Sequence, residues 1–113
     1  MYAIRFTQEA VEDVKALPKN VRNSLRKEIR KLAADPLGPS LELRAPLHWW
    51  RSYHWRNYRI VFRVLEDWKT VAIAAVGKRL PGSQTDLYRK LERLAREGKL
   101  ADTLLRAVRE FGP

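Results

Sequence analysis

The chain has 113 residues and a hydrophobic fraction of 45%, enough for one domain with one modest core. Its 23 Lys and Arg against 13 Asp and Glu leave a formal charge of +10, so the expected counterpart is a nucleic acid, an acidic protein or an anionic membrane surface. With no cysteine, disulfides and thiol chemistry are excluded, and two histidines without cysteine argue against a structural zinc site. There is also no apolar run of about 18 residues and no basic-then-apolar leader, so the expectation is a cytoplasmic protein outside the membrane, without metal or cofactor.

Residues 2–6 read as a strand. Thr7 caps a short helix whose apolar face is Ala10, Val11, Val14 and Leu17. Pro18 sits in the first turn of a second helix, where its missing N–H costs nothing. In that helix Val21, Leu25, Ile29 and Leu32 form a buried stripe, and it ends near Ala34 at Asp35-Pro36. Its other faces carry Lys19, Arg22, Arg26, Lys27, Arg30 and Lys31, read first as a solvated surface. Three strands follow: His48 to Trp55, Tyr58 to Leu65 across an Arg56-Asn57 turn, and Lys69 to Gly77 after Glu66-Asp67. Ala72, Ala74 and Ala75 are small for a strand and predict a helix pressed against it. After a Pro-Gly loop, Thr85 caps a helix striped by Leu87, Leu91 and Leu94, and Gly98 ends it. A last helix, Ala101 to Glu110, offers Leu104, Leu105, Val108 and Phe111. The fold class is α+β: a small antiparallel sheet, two N-terminal helices on one face, and C-terminal helices.

Between residues 44 and 79 there are eight Lys or Arg and two acids, alternating with apolar β-formers. One face of the sheet should then carry arginines toward a polyanion such as RNA. RNA can be cut without metal when a 2′-hydroxyl attacks the adjacent phosphate. That reaction needs proton donors and acceptors and fixed positive charge. Candidates of the right type are Arg59, Arg63, Lys78, Arg79, His54, Tyr53, Tyr58 and Tyr88. Period-two alternation puts Tyr58, Ile60, Phe62 and Val64 on one face and Arg59, Val61, Arg63 and Leu65 on the other. Arg59 reads as a phosphate clamp or as a surface ion-pair residue. His54, titrating nearest neutrality, reads as acid–base group or structural; with polar Ser52 beside it in the alternation, it faces outward. Tyr88 reads as core or as pointing back at the sheet. Trp49, Trp50 and Trp55 read as core in preference to base-stacking surfaces, and His48 as packed or exposed without function.

The ordered set resembles the RelE/ParE toxin superfamily of type II toxin–antitoxin systems. The resemblance runs through Ile4-Arg5-Phe6-Thr7 with Ala10, Leu17-Pro18-Lys19, Val21-Arg22 and Asp35-Pro36. It is strongest in Asn57-Tyr58-Arg59-Ile60-Val61-Phe62-Arg63-Val64 and in Val76-Gly77-Lys78-Arg79, followed by Tyr88. It implies a toxin domain over residues 1–90, with 91–113 a helical extension of the same domain. It implies, for the RelE-like branch, a ribosome-dependent endoribonuclease that cuts messenger RNA. Arg59, Arg79, Tyr88 and His54 would then be catalytic, and Lys78, Arg63, Arg56 and Arg51 would bind RNA. A ParE-like inhibitor of DNA gyrase is the alternative. An acidic cognate antitoxin is the implied partner, and the apolar side of the last helix offers a homodimer contact. Three departures stand out. Ser52 occupies a position where RelE-like members carry a basic residue. Tyr88 follows Arg79 by nine residues, a long interval. The chain also continues well past the usual end, in a manner similar to the HigB-like branch.

Overall fold

The computed structural model describes residues 1–80, 86–99 and 106. In chain order the elements are β1 (Ala3–Phe6), α1 (Gln8–Lys15), α2 (Lys19–Ala34), β2 (Leu41–Glu42), β3 (Arg51–Trp55), β4 (Tyr58–Leu65), a single 3-10 turn (Glu66–Trp68), β5 (Thr70–Lys78) and α3 (Leu87–Arg96). The five strands lie in the order β1-β5-β4-β3-β2. The two short reversals make β3, β4 and β5 an antiparallel meander, with Trp55 paired to Tyr58 and Leu65 to Thr70. Both reversals use a non-glycine residue at positive φ, Arg56 at 55° and Lys69 at 45°.

The sheet is not purely antiparallel, as the sequence had suggested. β1 pairs parallel to β5, from Ala3 opposite Thr70 to Phe6 opposite Ile73. A tight turn dictates antiparallel pairing, but no turn joins these two strands: two helices and three strands separate them. The two-residue β2 was not expected either, because two residues show no periodicity.

Two apolar clusters pack on opposite faces of the sheet. On the first face, Ala10 of α1 and Val21, Leu25 and Leu32 of α2 meet Trp55, Tyr58, Ile60, Phe62, Val71, Ile73 and Val76. The α2 stripe and the β4 alternation are therefore as the sequence predicts; of the face expected for the first helix, Ala10, Val14 and Leu17 join this cluster and the half-buried Val11 does not. Pro18 is one residue earlier than expected, at the N-cap of α2, where its carbonyl accepts from Arg22 N at 3.0 Å. On the second face, Leu87 and Leu91 of α3 join Leu47, Trp50, Val61, Ala72, Ala74 and Ala75. A register shift explains the run of alanines. Val61 pairs with Ala75 and Phe62 with Ile73, so Ala74 is an extra residue on β5. Ala74 and Ala75 both fall in the cluster under α3, where their small side chains admit the helix.

The N-termini of α1 and α3 are tied to side chains. Thr7, fully buried, accepts from Ala10 N at 3.1 Å and donates to Ala74 O at 3.3 Å. The cap of α3 is Asp86; the expected Thr85 lies outside the described residues. Gly98, at φ 73°, follows the last turn of α3 as anticipated. The expected division after residue 90 falls inside α3. The expected last helix, and with it the homodimer contact through Leu104, Leu105, Val108 and Phe111, lies outside the described residues. No helix among the described residues is long and apolar enough to cross a membrane.

Beyond Ile73 the outer side of β5 has no strand partner among the described residues. Its Val76 N–H instead donates to Asp13 Oδ2 at 3.1 Å, and Lys90 of α3 reaches Asp13 Oδ1 at 3.9 Å around the edge. Burial raises the Asp13 carboxyl above its ordinary range, against the lowering effects of Val76 N–H and Lys90.

Candidate functional site

The site lies on the second face, at the end of the sheet nearest the β3–β4 turn. Register sets its floor. His54 of β3 is opposite Arg59 of β4, and Arg59 is opposite Gly77 of β5, so the three positions stand side by side on one face. Ser52, two residues before His54, shares that face. Arg79 follows the last residue of β5. Tyr88 comes from the first turn of α3.

Asp86 is what brings Tyr88 into place. Its carboxylate accepts from Tyr88 N at 3.1 Å, from Arg89 N at 3.3 Å and from Leu80 N. One buried side chain thus fastens the end of β5 to the start of α3. The long interval between Arg79 and Tyr88 does not remove the tyrosine from the sheet. Its hydroxyl lies 2.6 Å from Ser52 Oγ, in a hydrogen bond, and the Arg79 guanidinium sits 5.9 Å from its ring centroid. Ser52 is 1% exposed. The position where a basic side chain was looked for therefore holds a buried hydroxyl, covered by the tyrosine it binds.

A cleft of about 760 Å³ opens beside this group. His54, Ser52, Arg79 and Tyr88 line it, with Arg44 and Glu42 on one wall and Arg89 on the other. The His54 imidazole is held below its ordinary value, by burial first and then by the charges of Arg59 and Arg79. It is therefore predominantly neutral at pH 7 and able to accept a proton. The cleft accordingly offers a proton acceptor, a hydroxyl fixed by a second hydroxyl, and a guanidinium.

Arg59 stands apart from this group. It is not among the residues lining the cleft. Its Nη1 donates to Tyr58 O at 2.8 Å and to Arg56 O at 3.2 Å, and its buried Nε has no partner among the described residues. The cations expected to bind RNA are dispersed. Lys78 is on the first face, 5.6 Å from the Tyr58 ring centroid. Arg56 lies over Trp55 at the turn. Arg51 is engaged structurally, its Nε donating to Ser40 Oγ at 2.7 Å and its Nη2 to Ser40 O at 2.9 Å. Arg63 shares the face of Arg59 but lies over Trp49. The expectation of one outward arginine face is thus corrected: odd and even positions of the meander send cations to both faces, and α3 covers part of the second.

The other candidates separate by face. Tyr53 points to the helix side, where burial and the Glu28 carboxylate, 2.5 Å from its hydroxyl, push it up to about 12. Tyr58 is buried and stacked on Trp55. Trp50 and Trp55 are core, as expected; Trp49 is not, being 67% exposed beside an exposed His48. Asp86, Arg44, Glu42 and Arg89 were missed. For Asp86 a signal existed, since Thr85 and Asp86 are both capping residues. Arg44 and Glu42 come to the cleft only through the fold.

The profile of the family described as ParE toxin of type II toxin–antitoxin system, parDE, matches residues 4–80. The chain is 26% identical over 88 residues to a putative RelE-like toxin protein of Escherichia coli, covering 77% of this chain and 90% of the relative. Among solved structures it is similar to a chain of the RelBE2 toxin–antitoxin complex of Mycobacterium tuberculosis, at TM-score 0.66 and 29% identity, covering 69% of this chain and 98% of the other. It also shares its fold with the isolated RelE toxin of E. coli, at TM-score 0.61 and 22% identity, covering 82% and 97%. The matched segment contains both helices of the first face, all of the sheet but Ala3, and Arg79, and this chain belongs to the ParE toxin family of type II toxin–antitoxin systems, within the RelE/ParE superfamily.

Proposed function

We propose that this toxin is an endoribonuclease that cuts messenger RNA in the ribosomal decoding site by metal-independent acid–base chemistry. The observation that carries the reading is the meeting of His54, Arg79 and Tyr88 on one cleft. In this reaction neutral His54 takes the proton of the 2′-hydroxyl as its oxygen attacks the adjacent phosphorus. The phosphorus–5′-oxygen bond breaks, and Tyr88 gives its proton to the leaving 5′-oxygen. The products are a 2′,3′-cyclic phosphate and a 5′-hydroxyl end. Arg79 stabilises the negative charge that grows on the phosphoryl oxygens, and Arg59 adds positive potential from behind the cleft. Ser52 holds the Tyr88 oxygen and offers it a hydrogen once its own proton has gone.

An acidic antitoxin is the natural partner for a toxin of charge +10. It would place carboxylates near Arg79 and Arg89. The relatives solved as toxin–antitoxin complexes support this pairing.

A second reading, gyrase inhibition without cutting, is favoured by Arg59, whose guanidinium is spent on two backbone carbonyls. Primer extension on messenger RNA translated by purified ribosomes separates the two. Discrete cuts at codons in the decoding site support the nuclease. Intact messenger RNA together with blocked supercoiling by gyrase supports the second reading.

A further inference from the structure

Trp49 is 67% exposed, yet its position is not slack. Its neighbours on the same loop are anchored: Leu47 is 3% and Trp50 6% exposed, both in the apolar cluster under α3. Backbone bonds brace the loop, from Leu47 N to Arg44 O at 2.8 Å, Trp50 N to Leu47 O at 2.9 Å and Leu43 N to Trp50 O at 3.0 Å. A guanidinium and an imidazole flank the indole. The Arg63 guanidinium lies 5.8 Å from the ring centroid and the His48 ring 4.3 Å away, inclined at 56°. Residues 43–65 contain five arginines and no acid. A large apolar ring held out in water on a rigid, wholly basic segment fits a flat apolar ligand that carries negative charge.

We propose that Trp49, with His48 and Arg63, is a stacking platform for a base of single-stranded RNA. The same loop forms a wall of the cleft through Leu43, Arg44 and Leu47. The Cα atoms of Leu47 and Trp49 are at most about 7.6 Å apart. A strand leaving the cleft over this wall reaches the indole within a few nucleotides. Stacking tolerates any base, so the platform adds affinity and direction to the strand and little sequence preference. The platform requires RNA as ligand, but not that the RNA be cut.

Anisotropy titration of the full chain with a short labelled single-stranded RNA tests it. Trp49→Ala is expected to weaken binding about tenfold, and Trp49→Phe to recover most of the loss. The slope of log affinity against log salt should not change, because no phosphate contact is removed. An abasic oligomer of equal length should bind wild type and Trp49→Ala alike. Equal affinity of wild type and Trp49→Ala for the base-containing RNA overturns the platform. Unchanged RNA affinity with loss of neutralisation by the co-expressed antitoxin overturns it too, and assigns the indole to a protein partner. RNA bound through Trp49 but left intact on translating ribosomes supports the platform while removing the nuclease reading.

Discussion

The two faces of the sheet use the same strands in different ways. β4 gives Ile60 and Phe62 to the face under α1 and α2, both fully buried, and Arg59 and Arg63 to the face under α3. The first face meets two helices, and its strand positions are large and branched. On the second, among the described residues, Ala72, Ala74 and Ala75 lie with Val61 against α3, and the covering is that helix and the 43–50 loop. Where that covering stops, the sheet presents His54, Ser52 and Arg59 in place of apolar residues. Among the described residues, the site is therefore the part of the second face where Tyr88 and Arg79, in place of apolar side chains, lie over polar strand positions. The contrast implies that stability should depend chiefly on the first face and chemistry on the second.

The sharpest way to break this contrast is Phe62→Ala. Truncating a fully buried aromatic typically costs about 3–5 kcal/mol, and the loss should appear in denaturant unfolding. A loss below about 1 kcal/mol would mean that the first face is not the main source of stability. On the second face, Arg79→Ala should lower single-turnover cleavage on ribosomes about a hundredfold, with the unfolding midpoint unchanged. Arg59→Ala should cost less than Arg79→Ala, since its guanidinium is turned to Tyr58 and Arg56 carbonyls. The reverse ranking would show that Arg59 swings into the cleft when RNA binds.

Asp86→Ala joins the two faces in one experiment. Loss of a cap costs about 1 kcal/mol of stability. Because the same carboxylate positions Tyr88, cleavage should fall toward the level of Tyr88→Phe; wild-type cleavage would show that α3 holds the tyrosine without this cap. The smallest effect concerns pH. His54 in the folded chain titrates below its ordinary value, so the unfolded state binds more protons between the two values. The associated stability is fully present above about pH 6.5 and is lost as pH falls through the lowered value. Activity that needs neutral imidazole should fall over the same acid limb and be level above it. His54→Gln should remove the acid limb from the rate profile, and an imidazole titration by NMR should give the same midpoint. A midpoint above the ordinary value of about 6.5 would contradict the cationic surroundings of His54.

Much of the first face could be read from the chain, because it depends on local periodicity. Val21, Leu25, Ile29 and Leu32 mark α2, and Tyr58, Ile60, Phe62 and Val64 mark the inner face of β4. Thr7 and the Arg56-Asn57 turn are equally local. The second face depends on relations between distant residues. The Ser52–Tyr88 bond spans 36 positions, and no spacing rule predicts it. The extra residue at Ala74 lies in a run of alanines whose period cannot be followed by eye, so the reason for Ala75 beside it emerges only from the register. Residue types in the site were legible as chemistry: His54, Arg79 and Tyr88 were named and do share the cleft. Their grouping came only through the family resemblance, not from spacing, and the separate set named for RNA binding, Arg51 and Lys78 among it, lies elsewhere.

The outer side of β5 beyond Ile73 has a bearing on how other chains can approach. An open strand edge is a template on which a neighbouring extended segment adds, whether a partner peptide or another copy. Here its Ala74 carbonyl is taken by the Thr7 hydroxyl and its Val76 N–H by the Asp13 carboxylate. An incoming strand would have to evict both and strip Lys90 of its counter-ion. At the opposite border β2 is only two residues long, too short to guide a register. Among the described residues, the stretch of β5 that runs past β1 is thus closed to growth by side chains, and the β2 border offers too short a template.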